Sequence, residues 1–193
     1  MERLTKRQIQ AINTKNKIYN IATNLMQKEG YDNITIQNIC EKAEVSVGSF
    51  YHYFESKNDI LIELYKKADH FFYDNIKNKL SSTNAIDRII EYFDYYAEYN
   101  EKTGIDMMKQ LYNSNNKMFI TKGRHMQTIL DEIILEGQEK NEILTEKTSQ
   151  DITRCLFILM RGVIYDWCLH DAAYNLREEI HNTIIYVVKA FKP

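Results

Sequence analysis

The sequence predicts an all-α protein of about nine helices. Along most of the chain, apolar residues recur three and four positions apart, which is the period of an amphipathic α-helix. The only proline is the terminal Pro193, and no Asn-Gly or Asp-Gly pair marks a β-hairpin. With 193 residues, of which 44% are hydrophobic, the chain can bury a core in one medium domain or in a small domain joined to a larger one.

Capping residues set the expected helix ends. The first helix is expected from about Ile12 to Glu29, where Gly30 ends it. The second and third helices fall between Thr35 and Tyr53. Polar pairs three residues apart open several of the later helices, as N-terminal caps do. The later helices are expected at about 56–80, 84–101, 104–112, 116–137, 148–169 and 175–192.

The stretch from Thr35 to Lys57 has the pattern of two short amphipathic helices joined by a tight turn. Thr35 and Ser46 stand where N-cap hydroxyls belong, and apolar residues after each of them form an inner face. The outward residues of the second of these helices are small, hydroxylated or aromatic: Gly48, Ser49, Tyr51, His52 and Tyr53. Such groups can approach a duplex and bond to phosphates or base edges, so a DNA-binding helix-turn-helix is expected. The alternative is an ordinary helical bundle, which spacing alone leaves open.

The distribution of charge agrees with a DNA-binding N-terminus. Residues 1–28 contain six lysines and arginines but one glutamate, a local charge of +5, whereas the whole chain carries −2. Basic residues suit contact with phosphates. A solvated helix start is the plainer interpretation of the same charges. The acidic remainder of the chain is expected to face away from DNA.

From Val45 to Lys57 the sequence resembles the DNA-binding domain of the tetracycline-repressor (TetR) family of bacterial regulators. The likeness extends over roughly residues 12 to 65. It implies that Thr35 contacts the DNA backbone, that Lys57 binds a phosphate, and that Ser46 and the outward residues of the third helix face the groove. Val47 stands where relatives often have a polar, base-reading side chain, and it joins the expected DNA-contacting residues.

The resemblance also implies two domains. Residues 1–56 would form the helix-turn-helix DNA-binding domain. Residues 57–193 would form a helical domain for ligand binding and dimerisation, in the manner of the family.

Helix eight is apolar on nearly every side between residues 155 and 169. A helix of this kind is expected to be buried all round. Because one of its faces can pack on the chain's own core, another requires a second subunit, and helix nine repeats the pattern. Two such helices from each of two chains would form a four-helix dimer interface, as the family resemblance also implies. The expected interface residues are Leu159, Val163, Ile180, Ile184 and Val187.

Aromatic and methionine side chains are concentrated between helices four and eight. They suit an adaptable hydrophobic cavity with polar tips, and plain core packing is the alternative for each of them. The resemblance implies that a small molecule binds there, shifts helix four and releases the dimer from DNA. The expected ligand-binding residues are Phe93, Tyr96, Met108, Tyr112 and Trp167. Tyr92, Tyr95 and Tyr99 lie off the inward stripe of helix five and are expected at the surface.

No catalytic site, metal site or cofactor is expected. The sequence lacks a Gly-rich phosphate loop, a His-Glu-x-x-His motif and a nucleophile elbow. Cys168 and His170 are two positions apart, so on a helix they point to nearly opposite sides and could share a metal ion only if the helix ended between them. Three cysteines without paired spacing favour a reducing cytosol, and no apolar run reaches the roughly 18 residues of a membrane span. A cytoplasmic protein without a membrane partner is expected.

Together these patterns predict a homodimeric transcriptional regulator. The simplest form is a repressor that a small hydrophobic or aromatic ligand releases from a palindromic operator. Its partners would be double-stranded DNA, a second copy of the chain and an unidentified effector. The alternative is an adaptor on the same scaffold that binds DNA or a protein without an effector. A helical enzyme, the third hypothesis, lacks convergent polar groups.

Overall fold

The structure of the protein is a computed structural model that describes residues 4–112, 116–121 and 123–193. In these residues the regular structure is helical and no strand occurs, so the all-α prediction is confirmed. The chain divides into two compact units, Met1–Lys66 and Lys67–Pro193. One helix begins in the first unit and ends in the second. The functional division at residues 56 and 57 stays a prediction.

The first unit consists of the helix-turn-helix and the helices that flank it. The helices are α1 (Lys6–Glu29), α2 (Ile36–Ala43), α3 (Val47–Tyr53) and the start of α4 (Lys57–Phe71). α1 begins before the expected Ile12, because Thr5 and Gln8 form a reciprocal capping box. The predicted end at Gly30 is confirmed, with a φ of 86° that favours glycine.

The turn between α2 and α3 is tight because Glu44 adopts the left-handed conformation, with a φ of 52°. The next residue then donates its N–H to the carbonyl of Cys40 at 3.0 Å and closes the turn. A salt bridge of 2.9 Å joins Glu44 to Lys17 of α1, although both side chains are well exposed. Phe50 and Phe54 are buried beneath α3, with ring centroids 5.8 Å apart, and they fix which side of α3 faces inward.

The second unit contains the α-helices that follow α4 in the described residues. They are α5 (Ala85–Thr103), α6 (Ile105–Leu111), α7 (His125–Glu139), α8 (Ser149–Leu169) and α9 (Leu176–Val187). A π-helical turn, Phe72–Ile76, continues α4, and 3₁₀ turns occupy Met118–Ile120 and Val188–Phe191. α5 packs against α9 and α7, and α8 packs against α7 and α9.

Three of the predicted caps are confirmed in the second unit. Asn84, Thr148 and Asn175 each accept the backbone N–H of the residue three positions later. Each of these contacts is local in sequence. The starts of α5, α8 and α9 could therefore be predicted from capping residues alone.

The predicted start of α7 near residue 116 is wrong, because the helix begins at His125. Its N-cap residue, Arg124, supplies no side-chain cap. Asp69 of α4 replaces that cap and accepts the backbone N–H groups of His125 at 2.8 Å and Met126 at 2.9 Å. A cap from so distant a residue has no local sequence signal.

None of the helices in the described part of the chain is both long enough and apolar enough to cross a membrane.

Candidate functional site

The outward side of α3 is the first candidate surface. Ser46 caps the helix by accepting the N–H of Ser49 at 3.1 Å. With Phe50 buried, the helix exposes Gly48 and His52 together with 45% of Val47 and 53% of Tyr51. Ser49 and Tyr53 are half-buried. The predicted DNA-facing residues of α3 therefore share one accessible side of the helix.

A surface groove runs beside α3 in the first unit. Residues from the starts of α2 and α4 line it together with α3, among them Thr35, Gln37, Val47, Tyr51 and Lys57. Thr35 is exposed and caps α2, since its hydroxyl accepts the N–H of Asn38 at 3.1 Å. Hydroxyl, amide and ammonium groups thus lie beside the first turns of α3, where they can position a nucleic-acid backbone, but the same groove also contains the Asp32 carboxylate and the apolar Ile34 and Ile36.

Lys57 has a structural role that sequence reasoning missed. Its ammonium donates to the carbonyl of Tyr31 at 2.8 Å and to that of Ile34 at 2.6 Å. It also lies 4.5 Å from the centre of the Tyr31 ring. At most one of its three N–H groups remains for a phosphate, and Lys57 ties down the turn between α1 and α2.

A cluster of aromatic rings fills the centre of the second unit. Phe72, Tyr92, Phe93, Tyr96 and Phe157 are buried, and neighbouring rings meet edge to face with centroids 5.2 to 6.3 Å apart. The expectation that Tyr92 lies at the surface is wrong. Its ring is fully buried, and its hydroxyl donates to the carbonyl of Met126 at 3.0 Å.

The structure brings together some of the predicted ligand-binding residues. Phe93 and Tyr96 touch within the ring cluster, and Tyr112 lies near the Tyr96 hydroxyl. Burial raises the pKa of the Tyr96 hydroxyl, and the nearby Tyr112 hydroxyl offsets part of that rise. Met108 is also buried.

Trp167 lies near the C-terminal end of α8, far along the helix from Phe157 of the ring cluster. Its indole N–H donates to the carbonyl of Tyr174 at 3.0 Å and so ties the end of α8 to the following turn. Along α8, Trp167 is ten residues from Phe157, a rise of roughly 15 Å. Its burial reflects this turn rather than a place among the clustered rings.

Polar groups border the ring cluster near Tyr112. The Tyr112 and Phe119 rings are 4.7 Å apart. The Arg161 guanidinium donates to the carbonyl of Phe119 at 2.7 Å and to that of Phe157 at 2.9 Å. A buried amide, Asn100, donates to the carbonyl of Tyr96 at 2.6 Å. The interior of the second unit thus combines apolar rings with a polar edge.

The outward side of α8 is the second candidate surface. Within its own chain this helix is not buried all round, because it exposes a stripe of apolar side chains, the kind of face that was expected to require a second subunit. Exposed fractions along the stripe are 49% for Ile158, 41% for Leu159, 49% for Tyr165 and 62% for Leu169. Val163 is half-buried on the same helix.

Two of the expected interface residues need correction. Ile180 and Ile184 are fully buried within their own chain, because the apolar stripe of α9 packs inward and α9 lies against α5 and α8. Neither side chain is available to a partner. Val187 is half-buried, and the exposed large hydrophobic side chain of α9 is Tyr186, at 71%.

A family model described as "Bacterial regulatory proteins, tetR family" matches residues 18–64, which hold the helix-turn-helix and its flanking helices. The chain belongs to the TetR family. The fatty acid metabolism regulator protein of Bacillus subtilis is 25% identical over 169 residues, which cover 83% of this chain and 86% of the relative. The transposon Tn10 TetC protein of Escherichia coli is 26% identical over 181 residues, covering 92% and 89%.

Solved structures show the same TetR-family fold. FadR of Bacillus subtilis, in complex with stearoyl-CoA, has a TM-score of 0.71 at 21% identity, covering 90% of this chain and 96% of FadR. FadR of Thermus thermophilus, in complex with lauroyl-CoA, also has a TM-score of 0.71, at 16% identity and coverage of 90% and 92%. The predicted architecture, an N-terminal helix-turn-helix followed by a helical domain, is confirmed.

As a TetR-family protein, the chain is a transcriptional regulator with a helix-turn-helix DNA-binding domain. The family model covers the candidate surface on α3 and ends within α4. The family model does not identify which residues of this chain contact DNA, bind a ligand or form a dimer interface. Those assignments stay predictions.

Proposed function

We propose that this regulator is a homodimeric repressor that binds a palindromic operator and leaves it when a small hydrophobic molecule binds the second unit. The outward side of α3 carries the proposal. The helix is capped by Ser46 and held from beneath by Phe50, so its polar and small residues stand clear of the core. A helix held in this way can enter the major groove without rearranging the unit.

The apolar stripe on α8 supports the dimer. Neighbouring apolar side chains on a soluble protein's surface are favourable when another surface covers them. A second copy offers an identical stripe, and a two-fold axis between the copies would present two α3 helices to the two halves of a palindrome. The proposed interface keeps Leu159, Val163 and Val187 from the sequence prediction and replaces the isoleucines of α9 with Ile158, Leu169 and Tyr186.

The link between α4 and α7 supports a response to a ligand. Asp69 binds the start of α7 through two N–H groups and through the Arg124 guanidinium at 3.2 Å, and both side chains are nearly buried. Tyr92, in the ring cluster, bonds to the carbonyl of Met126 in the same turn. A molecule that enters between the rings would disturb this turn and, through Asp69, the end of α4.

Acyl-CoA is the first effector to test. The two FadR structures contain acyl-CoA, and the buried rings here offer an apolar environment with a polar edge at Tyr112 and Arg161. Stearoyl-CoA, lauroyl-CoA, the free acids and CoA alone would be titrated into the protein bound to its operator. Release by the acyl-CoAs but not by CoA supports the proposal. An intact complex throughout contradicts an acyl-CoA effector and favours the adaptor without an effector.

Specific DNA binding is tested first, by selecting duplexes from a random pool with the full chain. Tyr51→Ala and His52→Ala are each expected to lower affinity for the selected duplex by at least about a hundred-fold, through lost phosphate and base contacts. His170→Ala, which changes an exposed histidine of the second unit, is the control and should bind normally. Normal affinity in both α3 variants would overturn the assignment of this surface.

A further inference from the structure

We propose that Val47 reads the 5-methyl group of a thymine, so that each operator half-site carries a T·A pair opposite the start of α3. The inference rests on the proposed function, because it requires α3 to enter the major groove. It assigns a chemical preference to the position where the sequence has an apolar side chain among polar neighbours.

Val47 has no evident role in the fold. It is the first residue of α3 and 45% of it is exposed, whereas the apolar residues that pack this helix, Phe50 and Phe54, are buried. β-branched valine is also a modest helix former. Packing and helix propensity therefore give little reason for valine here.

Val47 is one of the residues that line the groove beside α3. Tyr51 lies one turn later on the same side of the helix, and the lining also includes apolar isoleucines and the polar side chains of Thr35 and Gln37. The polar groups suit a DNA strand's backbone, and Val47, as the first residue of α3, lies at the base-reading end of the helix.

Gly48 leaves room for a close approach at this point. A Cβ atom built on Gly48 would have Ser46 Oγ, 3.9 Å away, as its nearest non-neighbouring atom, so packing within the chain does not require glycine. A glycine inside a helix nevertheless costs stability. Close contact with another molecule explains both why residue 48 is glycine and why the neighbouring Val47 is exposed.

The chemistry of base edges then selects thymine. A valine side chain neither donates nor accepts a hydrogen bond, and the major-groove edges of the other bases are polar. Valine pressed against those edges would leave donors or acceptors unsatisfied. Thymine is the one base of the four that presents a methyl group in that groove, and the stiff χ1 of valine holds its own methyl groups in place to meet it.

The experiment replaces each thymine of the selected duplex by deoxyuridine, which lacks only the methyl group, in symmetric pairs. At the thymine that Val47 contacts, loss of the methyl group in one half-site should lower affinity about four-fold, from the transfer free energy of one methyl group. The symmetric pair of substitutions should lower affinity roughly fifteen-fold. Val47→Ala should remove this difference, so that the variant binds both duplexes alike. Cytosine and 5-methylcytosine at that position provide a second readout, with the methylated duplex expected to bind more tightly.

Tyr51→Phe keeps the apolar ring beside Val47 but loses the hydroxyl, so its overall affinity should fall while its preference for thymine over deoxyuridine remains. Methyl-independent binding at every position, or a methyl effect that persists in Val47→Ala, would overturn the inference while the proposed DNA binding stands. If no duplex is enriched from the random pool, the proposed function itself fails.

Discussion

The outward sides of α3 and α8 have different chemistry, although both helices bury one face in the chain's own core. α3 exposes glycine, imidazole and phenol groups, whereas α8 exposes Ile158, Leu159 and Leu169. A polar surface is stable in water until DNA covers it. An apolar stripe is favourable only when another apolar surface covers it. The two helices therefore require different partners, a duplex for α3 and a second copy of the chain for α8.

The largest expected effect comes from a charge on the stripe of α8. Leu159→Glu should convert the dimer into folded monomers, because an unpaired carboxylate in a packed interface costs several kcal/mol, or about a thousand-fold in association. Sedimentation velocity measures the change. Operator affinity should fall with it, since one α3 then binds without the other.

Leu135→Glu provides the matched control. Leu135, on α7, is 49% exposed, compared with 41% for Leu159, so it accepts the same charge at a similar cost to folding. The Leu135→Glu protein should remain dimeric. A Leu159→Glu protein that still sediments as a dimer would show that the stripe on α8 is not the interface.

The orientation of α9 shows a limit of sequence reasoning. Its start could be predicted, because Asn175 caps it locally. The side that meets a partner could not, because α8 and α9 carry apolar residues on several faces and their patterns do not distinguish inward from outward. Ile184, expected at the interface, is fully buried, and a charge there should unfold the second unit rather than release monomers.

Gly137 and Gly48 extend the comparison, since each is a glycine inside a helix. A Cβ atom on Gly137 would lie 2.5 Å from the Cβ of Ala85 and 2.8 Å from Cδ1 of Ile143. Ala85 cannot easily yield, because it begins α5 and its N–H is bonded to Glu142 at 2.6 Å. Gly137 is required by packing within the chain, whereas Gly48 is not.

The second expected effect follows from this crowding. Gly137→Ala should lower the free energy of unfolding by about 1–3 kcal/mol, the usual cost of overpacking, even though alanine is the better helix former. Chemical denaturation measures it. Unchanged or increased stability would mean that α5 and α7 separate without cost and that Gly137 is not a packing requirement.

The structural features that could be predicted from the sequence depend on residues close together along the chain. The features that were missed depend on contacts between distant residues. The helix-turn-helix has its caps, Thr35 and Ser46, inside a short segment, so its bounds could be predicted. The start of α7 depends on Asp69, more than fifty residues earlier, and could not. The two carbonyl bonds of Lys57 are likewise long-range, so only its charge was recognised.

The smallest expected change in the free energy of unfolding is that of Gly48→Ala, and its sign is opposite to that expected for Gly137→Ala. Gly48→Ala should raise the free energy of unfolding by about 0.5–1 kcal/mol, because the new methyl group meets open space and alanine favours the helix. The same variant should bind the operator more weakly, since the methyl group stands where the duplex approaches α3. Thermal or chemical denaturation and a binding titration on one preparation measure both changes. Higher stability with unchanged affinity would mean that DNA does not approach this turn of α3. Gly48 would then have no role in DNA binding.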